Sequence, residues 1–211
     1  MKDLFLLSGM GADKRAFDFL DLGHFRVQHL VWEKPLKKEE LNHYARRIAA
    51  QITVKKPILI GLSFGGLMAM ELGKIIPTEK IIIISSIKSP DQLSTKNRFL
   101  SRLGIHHWIP DFLLTKPNRL LFKIFGLESQ GEEDLLSKIL EDTDPDFLRW
   151  GFDQIGRWKN ENCPQVIQIH GGKDRIFSHQ EGDYCVPDGG HFMIVNRARE
   201  ISTILKKVLS E

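Results

Sequence analysis

Short apolar runs of the kind that form β-strands alternate along the chain with stretches of helical periodicity. Continuous apolar strands that alternate with helices favour a parallel sheet covered by helices on both faces. The pattern therefore predicts an α/β fold. The predicted strands lie in residues 3–8, 25–32, 57–62, 80–86, 164–174 (a strand and its turn) and 183–187. The predicted helices lie in residues 9–17 (a glycine turn that leads into a short helix), 39–52, 64–76 and 192–209.

The helix predicted over residues 39–52 has one apolar face. Its apolar side chains recur at intervals of three and four, a spacing that places them on one side of a helix. These residues are Leu41, Tyr44, Ala45, Ile48 and Ile52.

The alternation stops after the fourth strand. Residues 88–162 contain no strand pattern, but they contain helical pieces rich in Phe, Leu and Trp that are punctuated by prolines. A connection of this length without secondary structure is uncommon in a compact domain. We therefore predict a core formed by residues 1–87 and 163–211, and a helical lid inserted over residues 88–162.

Composition limits the class of protein and of partner. The chain has 211 residues, of which 42% are hydrophobic and 27% charged, values typical of a soluble globular domain. Its formal net charge is only +3, without a dense basic stripe. This balance gives no support to a nucleic-acid partner.

Cysteine usage and the N-terminal sequence favour the cytoplasm. The two cysteines, Cys163 and Cys185, are isolated thiols that fit a reducing compartment better than a disulfide framework. Neither lies in a C-x-x-C motif or near histidines at ligand spacing, so we predict no metal site. The apolar run near residue 4 is too short for a signal peptide, and no stretch is long enough to cross a bilayer.

One serine lies between glycines where a predicted strand meets a helix. The segment Gly61-Leu62-Ser63-Phe64-Gly65 has the form G-x-S-x-G, and a strand-to-helix turn this tight forces strained backbone angles on its central residue. Glycines two residues before and after remove side chains that would collide there. The turn would present the Ser63 hydroxyl above the sheet, at the positive end of a helix.

Two other interpretations of this segment require no catalysis. Ser63 could cap the helix, or the glycines could hold a phosphate. A phosphate loop, however, would need the Lys and Ser/Thr of G-x-x-x-x-G-K-[ST], which are absent. Residues 9–14, Gly-Met-Gly-Ala-Asp-Lys, do not fit the dinucleotide-binding pattern either.

With this turn and the residues that could serve it, the sequence resembles the α/β-hydrolase fold family over residues 3–86 and 164–209. The family's triad runs in the order nucleophile, acid, histidine. The resemblance implies Ser63 as nucleophile, Asp174 in "HGGKDRIF" as acid and His191 in "PDGGHFMI" as base. Asp91, after the fourth strand, is an alternative acid. His170, His106 and His107 are interpreted as packing or surface residues.

The resemblance also implies an oxyanion hole made of backbone N–H groups. One donor would be Phe64, and the other Met10 in the loop "SGMGAD". This chain has Ser8 where many relatives have His. The difference affects the side chain that supports the loop, but not the donor, which is a backbone N–H. A plain glycine turn is the alternative interpretation of Met10. The two leading antiparallel strands of many relatives are missing here, which implies about six parallel strands.

The lid carries aromatic residues at helical spacing. Trp150 and Trp158 lie in "FLRWGFDQIGRWKN" and are candidate substrate contacts, although this spacing is also typical of the interior of a lid. If some of these residues line the pocket mouth, they favour a partly apolar acyl or aryl substrate.

Together these features predict a serine hydrolase that cleaves carboxylic esters or thioesters of small molecules and needs no cofactor. The same triad also supports carbon–carbon bond hydrolysis, elimination and acyl transfer, because a fold does not fix a reaction. A third hypothesis is a non-catalytic ligand receptor with a hydrolase fold.

Overall fold

The protein is described by a computed structural model that covers residues 2–23, 25–93, 104–161, 164–177 and 182–210. The described residues form one sheet of six strands in the order β2–β1–β3–β4–β5–β6, with every neighbouring pair parallel. The predicted parallel α/β architecture is confirmed. The strands are β1 (Asp3–Leu7), β2 (Arg26–His29), β3 (Ile58–Leu62), β4 (Lys80–Ile84), β5 (Ile167–Gly171) and β6 (Tyr184–Val186).

Helices connect the strands and cover the sheet. The described α-helices are α1 (Leu41–Ala49), α2 (Phe64–Gly73), α3 (Asp111–Leu114), α4 (Arg119–Phe125), α5 (Gln130–Glu141), α6 (Pro145–Arg157), α7 (Met193–Asn196) and α8 (Ala198–Ser210). Short 3-10 helices lie at Lys14–Phe17, Pro90–Gln92 and Ile105–Trp108. Among these residues, no helix combines the length and the apolar character needed to cross a bilayer.

Alternate side chains of the central strands enter two separate cores. In β1, β3 and β4, residues at odd positions, such as Leu59 and Ile81, pack with α1 and α2, whereas residues at even positions, such as Ile58 and Ile82, pack with α8. Successive side chains of a strand point to opposite faces, so a strand buried on both faces must be apolar throughout. The unbroken apolar runs in the sequence have this origin.

The helices differ in apolar character according to their surroundings. Helix α1 buries Leu41, Tyr44, Ala45 and Ile48, as its periodicity predicts. Helix α2 is buried along almost its whole length, because the sheet covers one side and other helices cover the rest. A helix that is apolar on every side is stable only where protein covers every side.

The connection from β4 to β5 is helical in its described part. Helices α3 to α6 lie there, and residues 88–93 and 104–161 contain no strand. Trp150 of α6 is buried and donates a hydrogen bond from Nε1 to the Glu39 carbonyl at 2.7 Å, which joins the insertion to the α1 layer. The predicted boundary at residues 162 and 163, with Cys163, lies outside the described residues, and the division into core and lid stays a prediction.

The chain does not end in the single helix predicted over residues 192–209. Instead, α7 and α8 are separated at Arg197, where the backbone leaves the helical region with φ −123° and ψ 26°. The Arg197 guanidinium bonds to Glu128 and to the Asn196 carbonyl, and its own carbonyl accepts from the Ile201 N–H. The break therefore lies at the residue whose side chain bonds to Glu128, in the connection between β4 and β5.

Candidate active site

The carboxyl ends of three strands bring the predicted catalytic side chains together. Ser63 follows β3, Asp174 follows β5 and His191 follows β6. In a parallel sheet all these ends lie at one edge, where α/β folds carry their ligand sites.

Ser63 has a strained backbone that several hydrogen bonds hold in place. Its φ is +51° and its ψ −118°, a conformation that costs a residue with a side chain about 1–3 kcal/mol. The Ser63 N–H donates to the Ile84 carbonyl at 2.9 Å, and the Ser63 carbonyl accepts from the Gly66 N–H at 2.9 Å. The Ser86 hydroxyl donates to the same carbonyl at 2.7 Å.

The two motif glycines are required by close backbone contacts. A Cβ at Gly61 would lie 2.3 Å from the carbonyl oxygen of Gly65. A Cβ at Gly65 would lie 2.2 Å from the carbonyl oxygen of Leu7, on the neighbouring strand. Only hydrogen fits at either position, so the glycines allow the turn to pack against β1.

Hydrogen bonds join the three side chains into a relay. Ser63 Oγ lies 2.9 Å from His191 Nε2, and His191 Nδ1 lies 2.8 Å from Asp174 Oδ2. A carboxylate only accepts, so Nδ1 carries the proton of a neutral imidazole, and Nε2 is free to accept from the Ser63 hydroxyl. His191 and Asp174 are buried. The arrangement can withdraw the hydroxyl proton, which a serine nucleophile requires.

The surroundings of Asp174 keep it ionised. Burial by itself would raise the pKa of this carboxyl, but the electrostatic interaction and hydrogen bond with His191 outweigh it, with help from the Phe177 N–H and His170, and lower the pKa. Its Oδ1 accepts from the N–H groups of Ile176 and Phe177 at 2.8 and 3.0 Å. The alternative acid, Asp91, is exposed on the 3-10 helix Pro90–Gln92.

The loop after β1 lies against Ser63. A Cβ at Gly9 would be 3.2 Å from Ser63 Cβ, so Met10 is close to the serine. Phe64 begins α2. In the described part of the chain, the backbone N–H of neither Met10 nor Phe64 has a hydrogen-bond partner. Their role as donors to an oxyanion beside Ser63 stays a prediction.

Two residues that the motif does not reveal support this loop. Ser8, which stands where many relatives of the fold have His, accepts a hydrogen bond from Trp32 Nε1 at 2.8 Å. Gly151 of α6 leaves room for the Met10 side chain, because a Cβ there would lie 2.4 Å from Met10 Sδ. Trp32 and Gly151 thus lie against the loop that carries Met10.

Solved structures with known folds match the chain over its whole length. An esterase from Thermogutta terrifontis matches with a TM-score of 0.74 and 15% identity, covering 100% of this chain and 90% of that one. A hydrolase from Oleispira antarctica gives 0.72 and 16%, covering 100% and 92%. An esterase from Exiguobacterium antarcticum gives 0.71 and 14%, also covering 100% and 92%. The chain has the α/β-hydrolase fold. No protein-family model and no curated protein sequence matches it.

In this α/β-hydrolase fold, Ser63 opens into an apolar cavity of about 520 Å³. Helices of the insertion form much of its wall. Apart from Ser63, His191 and His106, the side chains that line it in the described part of the chain are apolar: Met10, Leu93, Ile109, Leu114, Leu121, Ile124, Phe125, Leu140, Leu148, Phe152, Ile155, Ile176 and Phe177. Such a lining suits an apolar ligand rather than a charged one.

The two candidate substrate contacts lie elsewhere. Trp150 and Trp158 are buried in the hydrophobic core and are not among the described side chains that line the cavity. Trp158 Nε1 donates to Glu71 Oε1 at 3.0 Å, so both indoles have partners within the protein. The interpretation of these aromatic residues as lid interior agrees with this position.

Several residues around the relay could not be selected from the sequence. The rings of Phe125 and Phe177 meet the His191 imidazole edge-on, with centroids 5.3 and 5.5 Å away. His170 Nε2 lies 2.9 Å from the Phe177 carbonyl oxygen and 3.8 Å from Asp174 Oδ2. Among the described residues, one group of metal-ligating side chains lies close enough together to share an ion: His106, His107 and Asp153.

Proposed function

We propose that this protein is a serine hydrolase that cleaves carboxylic esters or thioesters of small molecules with an apolar acyl or aryl group. The observation that carries the proposal is the Ser63–His191–Asp174 relay, which opens into a cavity lined almost entirely by apolar side chains. The esterases among the solved structures that share the fold add support.

The first half of the reaction forms an acyl-enzyme. Ser63 Oγ attacks the carbonyl carbon while His191 Nε2 accepts the hydroxyl proton, and Asp174 stabilises the imidazolium. The carbonyl oxygen becomes negative and accepts from the N–H groups of Met10 and Phe64. The intermediate then expels the alkoxide or thiolate, which takes the proton from His191.

The second half returns the enzyme to its starting state. A water molecule gives its proton to His191 and attacks the acyl carbon, and collapse of the second intermediate releases the carboxylic acid as Ser63 recovers its proton. Every proton passes through His191 Nε2. No metal or organic cofactor takes part in this scheme.

Kinetics of the Ser63→Ala variant test the proposal. With p-nitrophenyl esters of graded acyl length, we expect turnover to fall by about three orders of magnitude or more, since the nucleophile is lost. Ser137→Ala is the matched control, because this serine bonds to the Glu133 carbonyl within α5, outside the cavity lining. Unchanged turnover in Ser63→Ala would refute the proposal.

The same kinetics separate the remaining hypotheses. If wild-type protein turns over no ester although a fluorophosphonate labels Ser63, the relay serves another reaction, such as carbon–carbon bond hydrolysis or elimination. If Ser63 is not labelled in folded protein, the cavity belongs to a ligand receptor.

A further inference from the structure

Two adjacent histidines and one aspartate converge on the outer side of the cavity wall. His106 Nε2 lies 3.1 Å from Asp153 Oδ1, and His107 Nε2 lies 3.0 Å from Asp153 Oδ2. The two imidazole centroids are 4.4 Å apart, so both rings point the same way although their residues are neighbours in sequence. Their three ligand atoms all lie within 4.8 Å of one another.

The backbone around this cluster holds the histidines against α6. Gly104 adopts the left-handed conformation with φ +65° and starts the 3-10 helix, and the His107 N–H donates to its carbonyl at 3.0 Å. Just beyond the histidines, the Ile109 carbonyl accepts from Arg149 at 2.7 Å, and the same guanidinium pairs with Asp111. Because Arg149 lies one turn before Asp153 on α6, it fixes the histidine segment beside the aspartate.

The geometry points to a zinc site formed by His106, His107 and Asp153. Imidazole nitrogen and carboxylate oxygen bind Zn²⁺ at about 2.0–2.2 Å, which places tetrahedral ligands about 3.3 Å apart. His106 and His107 lie 3.1 and 3.0 Å from different oxygens of Asp153, and one ligand atom from each of the three residues lies within 4.8 Å of the others. Side-chain movements of roughly an ångström would therefore bring one atom from each residue to ligand distance of a single ion. Two imidazoles favour zinc and similar transition metals over magnesium or calcium.

The site is open on its solvent side. The side chain of His107 is 49% exposed, whereas those of His106 and Asp153 are 9% and 19% exposed. The exposed side provides an entry path and leaves the fourth position to water. On the inner side, the His106 ring stands between the site and the cavity beside Ser63, and it lies 5.6 Å from the Phe152 ring.

At this position the ion would have a structural role rather than a catalytic one. Zinc would join the 3-10 helix Ile105–Trp108 to α6, two elements that both supply side chains to the cavity wall. The ion would therefore fix the wall without contacting the reacting atoms. Zinc binding can be measured without turnover, so its failure and the failure of the proposed hydrolase function are distinguishable.

Isothermal titration of chelator-treated protein with zinc chloride tests the site. We expect one ion per chain in the wild type. In His107→Ala and in Asp153→Asn we expect the affinity to fall about a hundredfold or more, since loss of a ligand exceeds the 10–100-fold typical of outer-shell partners. His43→Ala is the matched control, because His43 is an exposed histidine that also contacts one carboxylate, Glu39, at 2.6 Å.

A second control separates this site from the relay. His191→Asn should bind zinc as tightly as the wild type, and zinc should shift the imidazole nitrogen resonances of His106 and His107 but not those of His43. Melting curves check that each variant folds, and His107→Gln replaces His107→Ala if the latter does not. The inference is overturned if the wild type binds no zinc, if either ligand variant keeps its affinity, or if His191→Asn loses it.

Discussion

Ser63 combines an unfavourable backbone conformation with close packing around its backbone. Its φ of +51° is retained because its N–H and carbonyl are hydrogen-bonded and because Gly61 and Gly65 leave no side chain in the way. Strain of this kind is kept only where the surrounding structure over-determines it. The packing that tolerates the strain is also what directs the hydroxyl toward His191.

Replacing Gly65 tests whether close packing holds the turn. We expect Gly65→Ala to lower the free energy of unfolding in urea by about 3 kcal/mol or more, because the new Cβ would meet the Leu7 carbonyl oxygen at 2.2 Å. Gly131→Ala is the matched control in α5, where a Cβ meets nothing within 4 Å. Its stability should rise by about 1 kcal/mol at most. Equal effects of the two substitutions would contradict this account of the motif.

The two candidate acids are separated by one comparison. Asp174→Asn should reduce ester turnover by about four orders of magnitude, because an amide no longer holds His191 in the required tautomer. Asp91→Asn should leave turnover unchanged, since Asp91 is exposed and the His191 Nδ1 bond is made to Asp174. A large loss in Asp91→Asn, with little in Asp174→Asn, would reverse the assignment.

For single residues, the sequence predicts best those positions whose role follows from their neighbours along the chain. Ser63 is recognisable because a strand, two glycines and a helix constrain one turn, and Asp174 and His191 because they follow strands in the family's order. Trp32 and Gly151, which lie against the loop that carries Met10, are not such positions. Each acts on a residue distant in sequence, and neither belongs to a motif.

At the scale of elements, periodicity identifies a buried face but not the element that covers it. The spacing of Trp150 and Trp158 favours the interior but also allows a place in the cavity beside Ser63, and their indoles donate to Glu39 and Glu71 in the core. The residues that do reach the cavity from α6 are Leu148, Phe152 and Ile155. Helix α6 therefore packs into the core with one side and lines the cavity with another.

Helix α4 allows the role of the cavity wall to be tested with adjacent leucines. Leu121 lines the cavity, whereas Leu120 is 67% exposed. We expect Leu121→Trp to lower kcat/KM for octanoyl esters about tenfold or more and to spare acetyl esters, because the indole fills space that a long acyl group needs. Leu120→Trp should leave both values unchanged. The same loss for acetyl and octanoyl esters would contradict this position of the acyl chain.

At the scale of the molecule, the parallel sheet brings residues that are distant in sequence into one site. Residues 63, 174 and 191 meet because β3, β5 and β6 run in the same direction and end at one edge. The alternation of strands and helices was enough to predict this sheet. It could not predict the group of His106, His107 and Asp153, because the two histidines lie 47 and 46 residues before the aspartate and no repeating pattern links them.

Labelling with a fluorophosphonate, followed by peptide mass spectrometry, tests most directly whether the folded chain makes one serine reactive. We expect a single adduct, on Ser63, in folded wild-type protein. Labelling should disappear in His191→Asn and on unfolding in urea, because the reactivity depends on segments that only the fold brings together. Folded wild-type protein that carries no adduct on Ser63, or His191→Asn that is labelled as fast as wild type, would contradict the proposed nucleophile and its relay.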